Sequence, residues 1–415
     1  MQSRVKAFAI WVVLSTGPSA LHGQFSFSVK GRPVQIHSFA SQGFAYSNHN
    51  NYLTMQTSRG SFAMTDLGAN ASFQLTDRFR IGAQVYSRNI GNLGQWHPQL
   101  DWAVADYRFK DWLGFRGGVV KTVFGLSTDT QDMEFLHTFA LLPQSVYPTD
   151  LRDALIRHRG GDLYGEVPLN RFGSLSYTLF AGVRQDGMYG SYPYLLSGLG
   201  GRLTSYGGLQ VGQDLRWNTP LNGLLLGASH VGADIHGEGL WNFVVPGSPP
   251  GTPPVKVLSR EHSNRDWTNQ FFGQYAAGNW RLAAEYRRYW RDQMIQNDRY
   301  EITADTRGWY VSGSYRVCKQ LEIGAYYSRW AVSWFSTLPT VVQAPSQESP
   351  DRHLYDKVVT ARFDLNRHWN VKVEGHFIDG YGGVYSYPSG FYVQNNPQGL
   401  KPGTNLFLIR TGWNF

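Results

Sequence analysis

The 415-residue chain has a single cysteine, Cys318, so it can form no internal disulfide and no cysteine-based zinc site. It has no apolar run of the roughly 18 or more residues that a membrane-crossing helix requires. The longest run, Ala7 to Leu14, lies at the extreme N-terminus. Gly-x-Ser-x-Gly, a phosphate-binding P-loop and His-Glu-x-x-His are all missing, which removes the commonest signatures of hydrolase, nucleotide and zinc-protease chemistry. His236 and Glu238 near a strand end read as a solvated pair, and no cofactor or metal is expected. A repeat of roughly 40 to 50 residues, which a propeller would show, is also missing. The formal charge is +8. The Lys and Arg residues are scattered, about one per segment, so no phosphate-tracking patch forms and nucleic acid is not an expected partner.

What the chain does have is period two. Hydrophobic residues make up 42%, aromatics 15%, and the mean hydropathy is −0.35. These values suit a wall whose alternate residues face lipid and water. In 369–377, Trp369, Val371, Val373, Gly375 and Phe377 share one face, with Asn370, Lys372, Glu374 and His376 opposite. The segments 357–365, 280–286 and 79–85 alternate likewise. Successive strand side chains point to opposite faces, so each segment has one apolar and one polar side.

Such segments fall at 34–47, 62–75, 79–90, 99–109, 113–124, 160–168, 173–184, 205–217, 224–236, 266–276, 280–291, 306–317, 321–330, 355–365, 369–378 and 405–415. Every other connection is short, as at 76–78, 170–171, 278–279 and 366–368. The rest are long, as at 48–61, 125–159, 185–204, 237–265 and 379–404. This parity predicts an all-β, closed antiparallel transmembrane barrel of about sixteen strands, with fourteen to eighteen as the range. An aromatic-rich soluble β protein would place turn signals at both ends without such parity.

The two ends fit export to a bacterial outer membrane. Arg4 and Lys6, the apolar stretch Ala7 to Leu14 and a small-residue region to Gly23 read as a signal peptide over 1–23, leaving 24–415 as one barrel domain. The last segment alternates Phe407, Ile409, Thr411, Trp413 and Phe415 on one face. A closing strand ending in Phe415 resembles the signal read by the barrel-assembly machinery.

Three stretches carry a closer likeness. Gln35 to Phe44 resembles the first strand of many porins. Asp101 to Phe109, followed by Phe115 to Gly125, resembles the hairpin before the third loop in phosphate-selective and related general porins. Val123 stands where that pattern has a proline. The overall pattern spans nearly the whole chain from Gly23 onward, and the sharp motifs about its first third. The resemblance implies a sixteen- or eighteen-stranded, water-filled pore through which small hydrophilic solutes diffuse passively, commonly as a homotrimer. It does not assign phosphate as solute. A lipid-hydrolysing barrel and a transporter of hydrophobic substrates are the alternatives. The first lacks a singled-out reactive residue, and the second usually carries an N-terminal plug.

Porins of this type fold the third loop inward. The resemblance therefore makes 125–159 the expected constriction, with Asp129, Asp132 and Glu134 opposed to Arg152, Arg157 and Arg159. Thr149 to His158 reads as a short helix capped by Thr149, with Asp153 near the cap. Alternation places Arg80, Arg116, Arg281, Arg287, Arg316, Arg362, Lys372 and Arg410 on the inward face, against Asp214, Glu285, Glu322, Asp364 and Glu374. The excess of cations predicts a weak anion preference, and Arg80 and Arg116 are the expected wall arginines near the neck.

Overall fold

The computed structural model describes residues 25–198, 201–243, 251, 253–337, 349–383 and 395–415. The proposed signal over 1–23 and most of the proline-rich stretch 247–254 lie outside the described residues.

Among the described residues seventeen strands form one sheet. They are β1 (Phe25–Val29), β2 (Arg32–Ser47), β3 (Ser61–Gln74), β4 (Phe79–Ile90), β5 (Gln99–Lys110), β6 (Leu113–Lys121), β7 (Arg157–Pro168), β8 (Ser174–Gln185) and β9 (Gly201–Asn218). The rest are β10 (Leu224–Phe243), β11 (Val255–Ala277), β12 (Trp280–Ile295), β13 (Tyr300–Arg316), β14 (Leu321–Ser336), β15 (His353–Asp364), β16 (Trp369–Asp379) and β17 (Gly403–Asn414). Each strand from β2 to β17 pairs antiparallel with its neighbours in sequence. β17 returns to β2 through pairs running from Leu406↔Ser47 to Asn414↔Phe39. Sixteen strands thus close into a barrel, and closure removes the unpaired edge that lipid cannot satisfy. The short β1 was not expected. It pairs with Arg32 to Ile36 of β2, beneath the place where β17 stops.

The barrel is apolar outside. Val359 is 55% exposed, while Thr360 beside it is 6% exposed and inward. Phe271, Val311, Phe377 and Ile409 line the outer wall in the same way. Near the short turns Trp280 packs on Tyr315 with ring centres 4.8 Å apart, and Trp413 on Phe415 at 3.8 Å. Toward the long-loop end Trp267 stacks on Trp290 at 6.4 Å and 8°. These rings are the aromatic girdles that flank the apolar band of an outer-membrane barrel.

Strand β4 has the expected limits, but β10 and β11 do not stop near 236 and 266. They continue as a hairpin to Phe243↔Val255, with an irregularity between Ala233 and His236. β12, β13 and β14 are likewise longer than expected. Their outer ends carry polar and apolar residues on both faces, as in Asn242, Lys256 and Glu301, so the one-sided signal fades while the backbone ladder continues.

Candidate functional site: the inward loop and the charged lumen

The site begins where β6 ends at Lys121. Gly125 adopts φ +64°, a left-handed conformation that glycine reaches without steric cost, and a Cβ there would collide with Gln270 and Glu285. Its amide donates to Ser229 Oγ at 3.0 Å, and the chain turns into the barrel. The connection to β7 holds a single 3-10 turn (Glu134–Leu136) and the four-residue helix α1 (Arg152–Leu155).

A loop with so little internal structure needs other partners for its buried peptide groups. The wall provides them, and the charges are sorted by sign. Carboxylates accept loop amides: Glu285 from Leu126 at 3.1 Å, and Glu374 from Ala140 and Leu141 at 2.8 and 3.1 Å. Cations donate to loop carbonyls: Lys372 to Glu134 at 2.7 Å, Arg362 to His137, Arg410 to Ala140, Arg287 to Val146 and Arg216 to Gly125, the last four each at 2.8 Å. Tyr147 closes the far side by donating to Glu285 at 2.5 Å. The loop is a strap laced to the wall from β9 to β17.

On the near side the strap carries a buried charge cluster. Arg152 donates to Asp101 at 2.7 Å and Asp132 at 3.0 Å, and lies 3.8 Å over the Tyr86 ring. Lys121 pairs with Asp132 at 2.8 Å, and Arg88 with Asp153 at 3.1 Å. Burial alone would raise the Asp132 carboxyl, but Lys121 and Arg152 outweigh it and hold it below the usual range. Asp129 lies nearby and half-buried, and its carboxyl is raised because loss of water outweighs Arg216 and Lys121. Burial pushes His137 down to about 4, and its Nε2 lies 2.8 Å from the carbonyl of Thr130, which it meets as a neutral donor.

The expected inward charges on the wall all face inward, yet several expected neck residues do not meet open water. Asp132, Glu134 and Arg152 are buried in ion pairs. Arg157 and Arg159 belong to β7, not to the loop. Arg159 shares the outer face with Leu163 and Val167, since residues two apart on a strand face the same way. Arg157 reaches from that face to Gln99 Oε1 at 2.9 Å. The helix covers only Arg152 to Leu155, and no side chain caps it; Arg157 and His158 are already paired with Lys121 and Val120 in the sheet. Arg88, Asp101, Asp66, which pairs with Arg410, and Gln84, which donates to Asp101 and Asp132, were missed, although Gln84 and Arg88 continue the inward parity of Arg80.

Toward the short-turn end the lumen's charges become wet, and in four ion pairs the arginine is wetter than its acid partner. The Arg80 side chain is 50% exposed and its partner Asp106 13%. Arg116 is 25% exposed over a fully buried Asp162, and Arg216 25% over Asp214 at 2%. Arg316 is 31% exposed over Glu322 at 3%. Arg281 and Arg362 lie in the same zone, and Arg362, 2.8 Å from Asp364, departs from this order, since the arginine is 15% exposed and the aspartate 20%.

No family model matches the chain, and no curated protein sequence matches it. Solved structures share the fold at low identity. Outer-membrane expressed OmpT of Vibrio cholerae superposes with a TM-score of 0.54 at 12% identity, over 94% of this chain and 100% of that one. Salmonella typhi OmpF, solved with daunomycin, gives 0.55 at 12% identity over the same shares. The outer membrane channel DcaP of Acinetobacter baumannii gives 0.52 at 8% identity, covering 94% of this chain and 99% of that one. The architecture common to these chains is the closed antiparallel barrel of outer-membrane proteins.

Proposed function

We propose that this chain is a porin of the bacterial outer membrane: a pore for passive diffusion of small hydrophilic solutes, narrowed by the inward strap and weakly selective for anions. The architecture is that of the OmpF and DcaP channels to which it is similar. The observation that carries the selectivity is the layering of four lumen pairs, where the guanidinium groups of Arg80, Arg116, Arg216 and Arg316 meet water and a carboxylate partner lies beneath each. A solute within a few ångströms of the wall then senses the arginines first. The low-dielectric barrel focuses that field, and salt screens it beyond about 8 Å.

The strap replaces the expected picture of bare opposed charges at the neck. Asp132 and Glu134 are neutralised by Arg152, Lys121 and Lys372, so they do not present a cation-attracting surface. Asp129 on the strap and Arg216 and Arg287, which donate to its carbonyls, are partly exposed charges beside the route past it. Reversal potentials across a potassium chloride gradient test this reading. Anion preference that falls in Arg116→Ala and Arg216→Ala supports it, and cation preference in the native protein overturns it.

A further inference from the structure

At the long-loop end a second site is built from two connections beside the strap. Residues 91–98 join β4 to β5, and residues following β8 carry the helix α2 (Ser191–Gly198) toward β9. The two connections are clamped together. The Gly94 amide donates to the Tyr189 carbonyl at 2.9 Å, the His97 ring stacks on the Tyr189 ring at 4.3 Å, and Asn92 donates to the Tyr194 hydroxyl at 3.1 Å. Within the first connection Gln95 and Trp96 are both left-handed, with φ of 47° and 60°. Such backbone strain at non-glycine residues clusters at active sites and ligand clamps.

Between the connections lies a cavity of about 780 Å³, within the size range of small-molecule sites. Its lining has a distinct chemistry. Tyr189 and Tyr194 supply ring surface, Asn92, Gln95 and Thr204 supply neutral acceptors, and Arg202 is the only charged residue among the described residues of the lining. Arg202 is exposed and has no ion-pair or hydrogen-bond partner among the described residues, unlike Arg80, Arg116 and Arg216 in the lumen. Among the described residues no carboxylate lines the cavity.

We propose that this cavity binds an acidic saccharide, a uronate unit, at the mouth of the barrel. The C–H face of a pyranose packs on a tyrosine ring, and amides and hydroxyls match its hydroxyl groups. The unpaired guanidinium takes the carboxylate as a two-point, charge-assisted contact. The proposal goes beyond the pore reading and stands apart from it, because binding to the folded barrel does not require conduction.

Calorimetric titration of the detergent-solubilised full chain with trigalacturonate tests it, with methyl-esterified trigalacturonate as the uncharged counterpart. The native protein should bind trigalacturonate saturably. Arg202→Ala should weaken that binding by about tenfold and leave the esterified trimer unaffected, as expected for loss of one charge-assisted contact. Tyr189→Ala should abolish binding of both, and Tyr189→Phe, which keeps the ring stacked on His97, should retain both. Heat-modifiable mobility on gels establishes that each variant is a folded barrel. Absence of saturable binding by the folded native protein at millimolar trigalacturonate overturns the proposal. So does an affinity unchanged by Arg202→Ala. Planar-bilayer conductance, measured on the same samples, reports separately on the pore.

Discussion

Lys372 on β16 and Glu134 in the strap form an ion pair at 2.5 Å, and both side chains are almost completely withdrawn from water. Lys372 Nζ also donates to the Glu134 carbonyl at 2.7 Å and the Phe139 carbonyl at 3.3 Å, so one wall cation holds both ends of a strap turn. Breaking a buried pair by removing one partner costs about 3–5 kcal/mol, because the other charge is left buried. That cost falls on docking of the strap, since the β15–β16–β17 ladder does not need Lys372. Lys372→Ala should therefore assemble normally, and its single-channel conductance should rise above that of the native protein. Lys372→Met combined with Glu134→Leu should return conductance toward the native value. Equal conductance of Lys372→Ala and the native protein would show that the strap does not set the pore.

Gly125 sets where the strap enters the lumen. A β-branched side chain there would meet Gln270 and Glu285 and would also disfavour φ +64°. Gly125→Val should leave the barrel heat-modifiable while increasing protease cleavage within 125–156. Resistance equal to the native chain would contradict the docking described.

The wall discriminates charges by depth as well as by face. Val359 lies midway between Phe363, near the short turn, and Tyr355, near the outer girdle. Val359→Arg should destabilise the assembled barrel by about 2–4 kcal/mol, and Phe363→Arg by only about 0–1 kcal/mol, because the cost of a lipid-facing charge falls toward the interfaces. Urea titration of folded barrels in liposomes measures both, and equal losses would overturn the assigned depth.

Much of the barrel was legible because lipid imposes a strict alternation. The sixteen segments, the parity of turns and loops and the inward set from Arg80 to Arg410 follow from which residues alternate with Val, Phe and Leu. The rule fails where lipid ends: the outer halves of β10 and β11 are wet on both faces, so their continuation to Phe243↔Val255 leaves no periodic trace. Arg159 was misplaced because the loop was carried three residues into β7, although Leu163 and Val167 already marked its face. The pairing of Asp132 with Lys121 and Arg152, and with Asp101 across Arg152, joins residues up to 51 apart, and no local pattern encodes it.

Acid should loosen the strap. His137 is lowered from its ordinary 6.5 to about 4, chiefly by burial and further by Lys372. The undocked strap therefore takes up the proton first as pH falls. Docking is at full strength above 6.5, weakens progressively down to about 4 and is flat with respect to this group below that. Asp132, whose carboxyl is lowered, adds a further loss in the acid range, and Asp129, whose carboxyl is raised, acts in the opposite sense. Conductance should rise between pH 6.5 and 4.5, and His137→Asn should flatten the rise. A pH-independent native conductance would exclude His137 as a contributor.

The most direct test is planar-bilayer recording of the purified native protein in a potassium chloride gradient. The account predicts ohmic current steps with a reversal potential of the sign given by modest chloride preference. A bilayer that stays silent while the protein is shown to be folded, with lipid-hydrolysing activity in its place, would contradict the pore itself. Steps with potassium preference would contradict the arginine-over-carboxylate lumen.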